Sequence, residues 1–287
     1  MGGSGNRVFI VYFSPAGSTH HVARVMEKRF KELGIKPSIF DLANNREVSK
    51  IISEQIGALG GKRCLVVGSP VYVSHAVPAI MQFISELSEL IGDSSAYAVP
   101  FVTWGGASSG ISLFEMAREL STKGFTILGA AKVLAVHSLM WQLENPLGGG
   151  HPDAEDDRLV QELVDEIKVK MHLDTAKGIE LSELAYQSKE VHAEMVKASL
   201  EVAKAHMPMR AVDEALCNQC GICAEVCPVN AVIFLPKVIF GERCIYCFNC
   251  VRNCPEGAIR ADLNEVWQRI EERAAFFSER PYTKIYV

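Results

Sequence analysis

Eight cysteines crowd between Cys217 and Cys254, in two runs that each read C-x2-C-x2-C-x3-C-P. Cys217, Cys220, Cys223 and Cys227 form the first run; Cys244, Cys247, Cys250 and Cys254 form the second, each 27 positions after its counterpart. That period marks an internal duplication. A disulfide framework would be spread through a small secreted domain behind a signal peptide, so a metal cage fits the clustering better. Zinc also takes C-x2-C pairs, but a tetrahedral site needs four ligands and gives no reason for a third cysteine at the same interval with C-P after it, twice. The spacing predicts iron–sulfur chemistry. A two-residue gap lets a loop wrap one face of a cubane, and Pro228 and Pro255 stop the chain from continuing as a helix after each fourth cysteine. Ile222, Val226, Ile245, Phe248 and Val251 fall between the ligands, where apolar side chains would screen the sulfurs from water. The ninth cysteine, Cys64, stands in an apolar run and reads as an inert buried thiol.

The duplicated segment resembles the two-cluster ferredoxins of bacteria over residues 213–262. That resemblance implies two [4Fe–4S] clusters, each held by three cysteines of one run and the fourth of the other. Cys217, Cys220, Cys223 and Cys254 would hold one; Cys244, Cys247, Cys250 and Cys227 would hold the second. "AVIF" and "AIRA", which follow the two runs, look like the short strands with which such domains pair their halves.

A second group of chemistry-bearing residues depends on the elements of the first 170 positions. Apolar runs at 7–13, 36–40, 63–68, 96–103 and 127–136 read as strands, and amphipathic stretches near 19–33, 48–57, 77–91, 109–123 and 155–172 read as helices. Strict alternation predicts an α/β fold whose parallel sheet is covered on both faces. Five strands suit a doubly wound sheet of order 2-1-3-4-5, with its ligand crevice at the carboxyl ends of strands one and three. Three loops would then carry the chemistry. The first, "SPAGSTHH", offers Ser14, Ala16, Gly17, Ser18 and Thr19 at a helix start, a cradle for a terminal phosphate. Its spacing is not the G-x-G-x-x-G of a dinucleotide site. The second brings Ser69, Pro70, Val71 and Tyr72, and the third Thr103, Trp104, Gly105 and Gly106, whose glycines let backbone amides approach a flat ring. Tyr72 and Trp104 read equally as ring-stacking partners or as core aromatics. His137 follows the fifth strand and reads as a buried, satisfied histidine or as a crevice residue.

Ser14-Pro15-Ala16-Gly17-Ser18-Thr19 resembles the [S/T]-x-T-G-x-T phosphate loop of the flavodoxin family, with Ala16 in place of a threonine. The order of the two halves is similar to flavodoxin–ferredoxin fusion proteins of anaerobic bacteria and archaea. The resemblance implies a flavodoxin-like domain at 6–172 that binds FMN through the three loops, and a small α+β two-cluster ferredoxin domain at 209–262. Residues 173–208, with Leu181, Leu184, Val191, Met195, Val202 and Met207 at helical spacing, are expected to form a helical connector. Residues 263–287 are expected to add a helix with Val266, Ile270, Ala274 and Phe277 on one side, and a "KIYV" tail able to pair with a sheet edge.

Composition narrows the function classes. The chain has 287 residues, 48% hydrophobic and 22% charged, which suits two globular domains. A net charge of −5 with no basic cluster gives no electrostatic reason to expect nucleic acid or anionic membrane as a partner. No apolar stretch approaches the roughly 20 residues of a membrane span, and the expected location is cytoplasmic. "MGGSG" reads as an added leader and is set aside. No Ser/His/Asp or paired-carboxylate constellation emerges. The expectation is electron transfer between two clusters and FMN, and onward to a redox protein or a small acceptor, within one chain or across a homodimer. An FMN-dependent reductase fed by its own ferredoxin half, and a non-redox cluster sensor, are the alternatives.

Overall fold

The computed structural model describes residues 6–43, 48–57, 61–90, 95–173, 176–234 and 237–287. The "MGGSG" leader, the last position of the helix expected over 77–91, connector residues 174 and 175, and ferredoxin-half residues 235 and 236 lie outside the described residues.

The apolar runs become strands, in the order β1 (Arg7–Tyr12), α1 (Ser18–Glu32), β2 (Ser38–Asp41), α2 (Val48–Gly57), β3 (Arg63–Tyr72), β4 (His75–Ala76), α3 (Pro78–Ser85), β5 (Ala96–Trp104), α4 (Ser112–Thr122), β6 (Thr126–Ile127), β7 (Ala130–Leu134) and α5 (Ala154–His172). Five of them pair in parallel as β2-β1-β3-β5-β7, the flavodoxin-like order. β5 is buried at every position, as a central strand covered on both faces must be. α1 turns Val22, Met26 and Phe30 inward, and Arg29 on its other side grips Asp165 of α5 with two hydrogen bonds of 2.8 and 2.9 Å.

Three elements differ from the sequence expectation. β3 runs on to Tyr72 and folds back onto β4 through Val73 and Ser74, both at positive φ (50° and 71°). The fifth strand is broken into β6 and β7. The connector is not one helix: a 3-10 turn at Leu181–Leu184 is followed by α6 (Lys189–Lys197) and α7 (Leu200–Lys204). Ser188 and Ser199 begin these helices by accepting the Val191 and Val202 amides at 3.2 and 3.1 Å, and serine favours such caps over helix interiors. Leu184 and Met195 are buried, so the connector is packed against the sheet domain.

The cysteine segment contains β8 (Ala211–Val212), α8 (Ile222–Glu225), β9 (Val232–Phe234), β10 (Val238–Phe240), α9 (Asn249–Arg252) and β11 (Ile259–Arg260). β9 pairs with β10 and β11 with β8, both antiparallel, so each small sheet takes one strand from each half. The duplication extends to the backbone: Gln219, Gly221 and Asn230 have φ of 62°, 78° and 49°, and their counterparts Tyr246, Phe248 and Gly257 have 53°, 56° and 58°.

α10 (Asn264–Phe277) then returns the chain to the first domain, where β12 (Lys284–Tyr286) pairs antiparallel with β7. The tail thus becomes the sixth strand of the large sheet's main path. Between α10 and β12, Glu279 meets Lys132 of β7 at 2.6 Å, with Lys132 only 3% exposed. Glu279 also accepts from the Ser109 amide (2.8 Å), the Ser109 hydroxyl and Ser108 Oγ (3.2 Å). Burial by itself would raise the Glu279 carboxyl, but Lys132 and the Ser109 bonds hold it below its usual range. Glu279→Ala should therefore strand a buried ammonium and cost about 3–5 kcal/mol. Lys132→Met combined with Glu279→Leu should recover much of that loss in urea denaturation; a double variant as unstable as the two single losses added would show that the pair is not coupled.

Candidate functional site

A cavity of about 390 Å³ opens at the carboxyl ends of β1, β3, β5 and β7. All three predicted loops reach it. Ser14, Ala16, Ser18 and Thr19 line it from the first; Pro70, Val71 and Tyr72 from the second; Thr103, Trp104 and Gly105 from the third. Gly17, Ser69 and Gly106 stand off the wall. Ser69 is wholly buried and spends its hydroxyl inside its own loop, donating to the Pro70 carbonyl at 2.8 Å and accepting the Val77 amide at 3.0 Å. Two of the first loop's hydroxyls are likewise committed. Ser14 Oγ accepts the His20 amide at 2.9 Å, and Thr19 Oγ1 lies 2.7 Å from Thr103 Oγ1, tying the first loop to the third. Ser18, the first residue of α1, remains at the wall, and the first turn of α1 carries no acidic side chain to oppose an anion.

The rest of the wall suits a flat, polar-edged, anionic guest. Among the described residues no carboxylate lines the cavity; its formally charged residues are Arg269 and Arg273, although the chain is acidic overall. The Trp104 indole N–H is buried without a hydrogen-bond partner, and the Tyr72 hydroxyl is buried beside Ser138; a buried polar atom left unpaired costs free energy unless a ligand or water meets it. A side chain at Gly105 would put its Cβ 2.6 Å from the His137 ring, so only glycine lets the third loop close there. His137 Nδ1 accepts the Leu139 amide at 3.3 Å, which leaves the proton on Nε2.

The sequence did not disclose the opposite wall. It comes from α7 and the turn after it (Leu200, Ala203, Met207), from α10 (Val266, Ile270, Phe277) and from Ile245 and Tyr246 of the second cysteine run. The apolar stripe of α10 was legible as a helix face, but not what that face covers.

Cys227, Cys244, Cys247 and Cys250 line one small hollow, together with Arg210 and Phe248. These are the four that the ferredoxin resemblance assigns to one cluster. Cys217, Cys220 and Cys223 sit together in the other loop, and Cys254 packs on an apolar cluster that Cys223 shares with Cys227, Cys244 and Cys250. None of the eight is joined in a disulfide. Among the described residues no three of these sulfurs lie within 4.8 Å of one another, whereas tetrahedral zinc brings its sulfurs to about 3.8 Å. The positive-φ residues fall at alternate positions, 219 and 221 in one run and 246 and 248 in the other, bends of the kind that turn backbone amides toward an anionic centre. Amide bonds from Ala231 to Cys227 Sγ (3.2 Å) and from Tyr246 to Cys244 Sγ (3.3 Å) are of this kind. Burial, reinforced by Cys244, Cys250 and Cys227, pushes the Cys247 thiol up to about 12. It becomes a thiolate only when a cationic metal centre offsets that cost. Cys64, fully buried and pushed up to about 12 by burial, has no such setting.

Burial also pushes the His137 imidazole down to about 4 from its ordinary 6.5. Between those values the unfolded chain binds a proton that the folded chain refuses, so stability falls as pH drops through this window. His137 is half-buried at the cavity wall, so the loss is at most about 1.4 kcal/mol per pH unit below 6.5. Thermal midpoints at pH 7 and 5.5 should therefore fall less for His137→Gln than for the parent; equal falls would show that the imidazole is already protonated in the fold.

Residues 210–233 match the 4Fe-4S binding domain family. No curated protein matches the chain. Among solved structures, the chain is similar to the rubredoxin oxygen:oxidoreductase of the anaerobe Desulfovibrio gigas, at 21% identity over 57% of this chain and 36% of that one (TM-score 0.46). It thus spans about a third of that oxidoreductase. It is also similar to a flavodoxin from the domain Archaea, at 15% identity over 58% of this chain and 99% of that one (TM-score 0.42). A Fusobacterium nucleatum flavodoxin bound to flavin mononucleotide matches at 13% identity over 57% and 97% (TM-score 0.38). No helix among the described residues is long and apolar enough to cross a membrane. The chain joins a flavodoxin-like sheet, recognised by its strand order, to a 4Fe-4S binding region.

Proposed function

We propose that this chain is an electron-transfer protein in which FMN occupies the cavity and two [4Fe–4S] clusters occupy the cysteine cages. Cys227, Cys244, Cys247 and Cys250 form the inner cage; Cys217, Cys220, Cys223 and Cys254 form the outer one. One observation carries the reading: Ile245 and Tyr246, which wall the cavity, lie between Cys244 and Cys247 in the chain. Flavin and inner cluster would then be separated by the thickness of one loop.

FMN supplies a carrier of one or two electrons, and each cluster exchanges one. The chain's own residues have four tasks. Ser18 and the amides at the start of α1 hold the terminal phosphate. Trp104 and Tyr72 offer their buried N–H and O–H to the ring or to water on it. His137, neutral and protonated on Nε2, adds a donor without adding charge. Ile245, Tyr246 and the α10 stripe exclude water between the centres. A second reading, reduction of a small acceptor at the flavin, is favoured by the outer rim, where Val202, His206, Arg269 and Arg273 leave a mouth for a small molecule.

Anaerobic purification should yield about eight iron, eight sulfide and one FMN per chain. Stoichiometric zinc with no acid-labile sulfide would overturn the cluster assignment. Ser18→Asp keeps a good helix start but places a carboxylate beside the phosphate. Like charges about 4 Å apart near a surface repel by on the order of 1–4 kcal/mol, so FMN should bind at least about fivefold more weakly. Unchanged affinity in a fluorescence titration would move the phosphate to another loop. In rapid mixing, flavin reduction by way of the clusters should be independent of protein concentration; a rate that falls on dilution points to transfer between chains.

A further inference from the structure

The two cages differ in their electrostatics. Arg210, just ahead of β8, donates from Nη1 to Cys244 Sγ at 2.9 Å. Its guanidinium carbon lies 4.1 Å from the centre of the Phe240 ring, 4.7 Å from Tyr246 and 5.8 Å from Phe248. This aromatic box holds the cation by its ring faces and keeps water from screening it. Among the described residues no carboxylate is paired with Arg210, so its charge is directed at the cage. Arg252 of α9 adds a second cation on the inner side, donating to the Ser138 carbonyl at 3.0 Å and lying 5.1 Å over the Trp141 ring.

The outer cage has neither feature. Cys220 is exposed and Cys217 and Cys254 are partly so. Beside them, Asn218 and Glu256 are hydrogen-bonded to each other at 2.9 Å. Among the described residues no arginine or lysine donates to an outer sulfur.

Reduction adds one negative charge to a cluster, so a cationic donor on a ligand sulfur stabilises the reduced form and raises the potential. Burial acts the other way on the inner cage. We propose that Arg210 overcomes this burial and sets the inner cluster's potential above the outer one's, so that electrons entering at the exposed cluster run inward to FMN. This rests on the two-cluster, FMN-binding reading above. The step is outer-sphere: the outer cluster loses one electron, the inner gains it, and no bond forms or breaks. The electron is supplied by a one-electron donor protein or a small chemical reductant.

The test is a redox titration of the full-length, loaded protein followed by paramagnetic resonance, with iron, sulfide and FMN measured on the same sample. Cys220→Ser assigns the outer signal. The inner cluster of the parent should reduce first. Arg210→Gln should lower its reduced-to-oxidised ratio at a fixed potential about tenfold, a shift of about 59 mV for one electron, while the outer signal stays put; Arg210→Lys should restore part of it. An outer cluster that reduces first, or an Arg210→Gln protein in which neither potential or both potentials move, overturns the inference. If Arg210→Gln sheds the inner cluster, the order in the parent still decides. A sample without clusters sinks the cofactor reading as well, whereas intact clusters in the reverse order sink this inference alone.

Discussion

The buried pair of Lys132 and Glu279 is the constraint on which the rest of the structure hangs. Lys132 points from the middle of β7 into a nest of rings, 5.2 Å from the centre of Trp104, 4.7 Å from Tyr186 and 4.8 Å from Tyr282. A lysine there is costly unless a carboxylate and ring faces meet it. Those partners come from three regions: Trp104 from the sheet, Tyr186 from the connector, and Glu279 and Tyr282 from the segment after α10. Satisfying one ammonium therefore brings the connector and the C-terminal segment onto the first domain, and Glu279 extends the tie to Ser108 and Ser109 of the third loop. The loop that faces the cavity and the helix that covers it share one electrostatic anchor.

The cysteine segment is fastened at a different edge. Asn249 Nδ2 donates to the Pro15 carbonyl in the first loop, Arg252 to Ser138, and Trp267 Nε1 to the Leu139 carbonyl at 2.7 Å. Around these bonds Met140, Phe248, Leu263, Val266 and Ile270 form an apolar cluster drawn from both parts of the chain. Ile245 and Cys247 belong to the core of the sheet domain itself. Such an interface resembles a domain core more than a hinge, and hinge-like motion is the expectation only where contacts are few and polar. Under the proposed electron-transfer reading, such packing would hold the two sites at a fixed separation rather than leave them to search for each other.

The cages also show where local backbone preference yields to function. Tyr246 and Phe248 adopt left-handed φ that bulky residues rarely take. In the first half Gly221 serves at the position equivalent to Phe248 without penalty. The second half accepts the strain because the same two side chains pack elsewhere: Tyr246 on the cavity and both of them on Arg210. Duplication set the loop geometry, and the second copy then acquired packing duties that the first does not have.

Local chemistry was legible in the sequence wherever it depends on spacing along the chain. Cysteine periodicity announced the duplicated loops, apolar alternation announced the parallel strands, and the strand order in turn specifies which loops meet at one end of the sheet. Even the tail's pairing followed from its β-branched and aromatic residues, which suit an edge strand. Other features were invisible because they join residues far apart in sequence. The connector's periodicity hid two serine caps, since a helix pattern does not show where local side-chain bonds interrupt it. The Ser69 hydroxyl closes its own loop by accepting the Val77 amide, a bond that residue spacing does not announce. Nothing in the spacing placed Arg210 on Cys244, Ile245 at the cavity wall or Glu279 on Lys132. The sequence by itself determined which ligands and loops exist, because their geometry is set by a few consecutive residues. Only the tertiary structure decided which cage faces inward and what covers the cavity, because those contacts close loops of tens to hundreds of residues and arise from the packing of the whole chain.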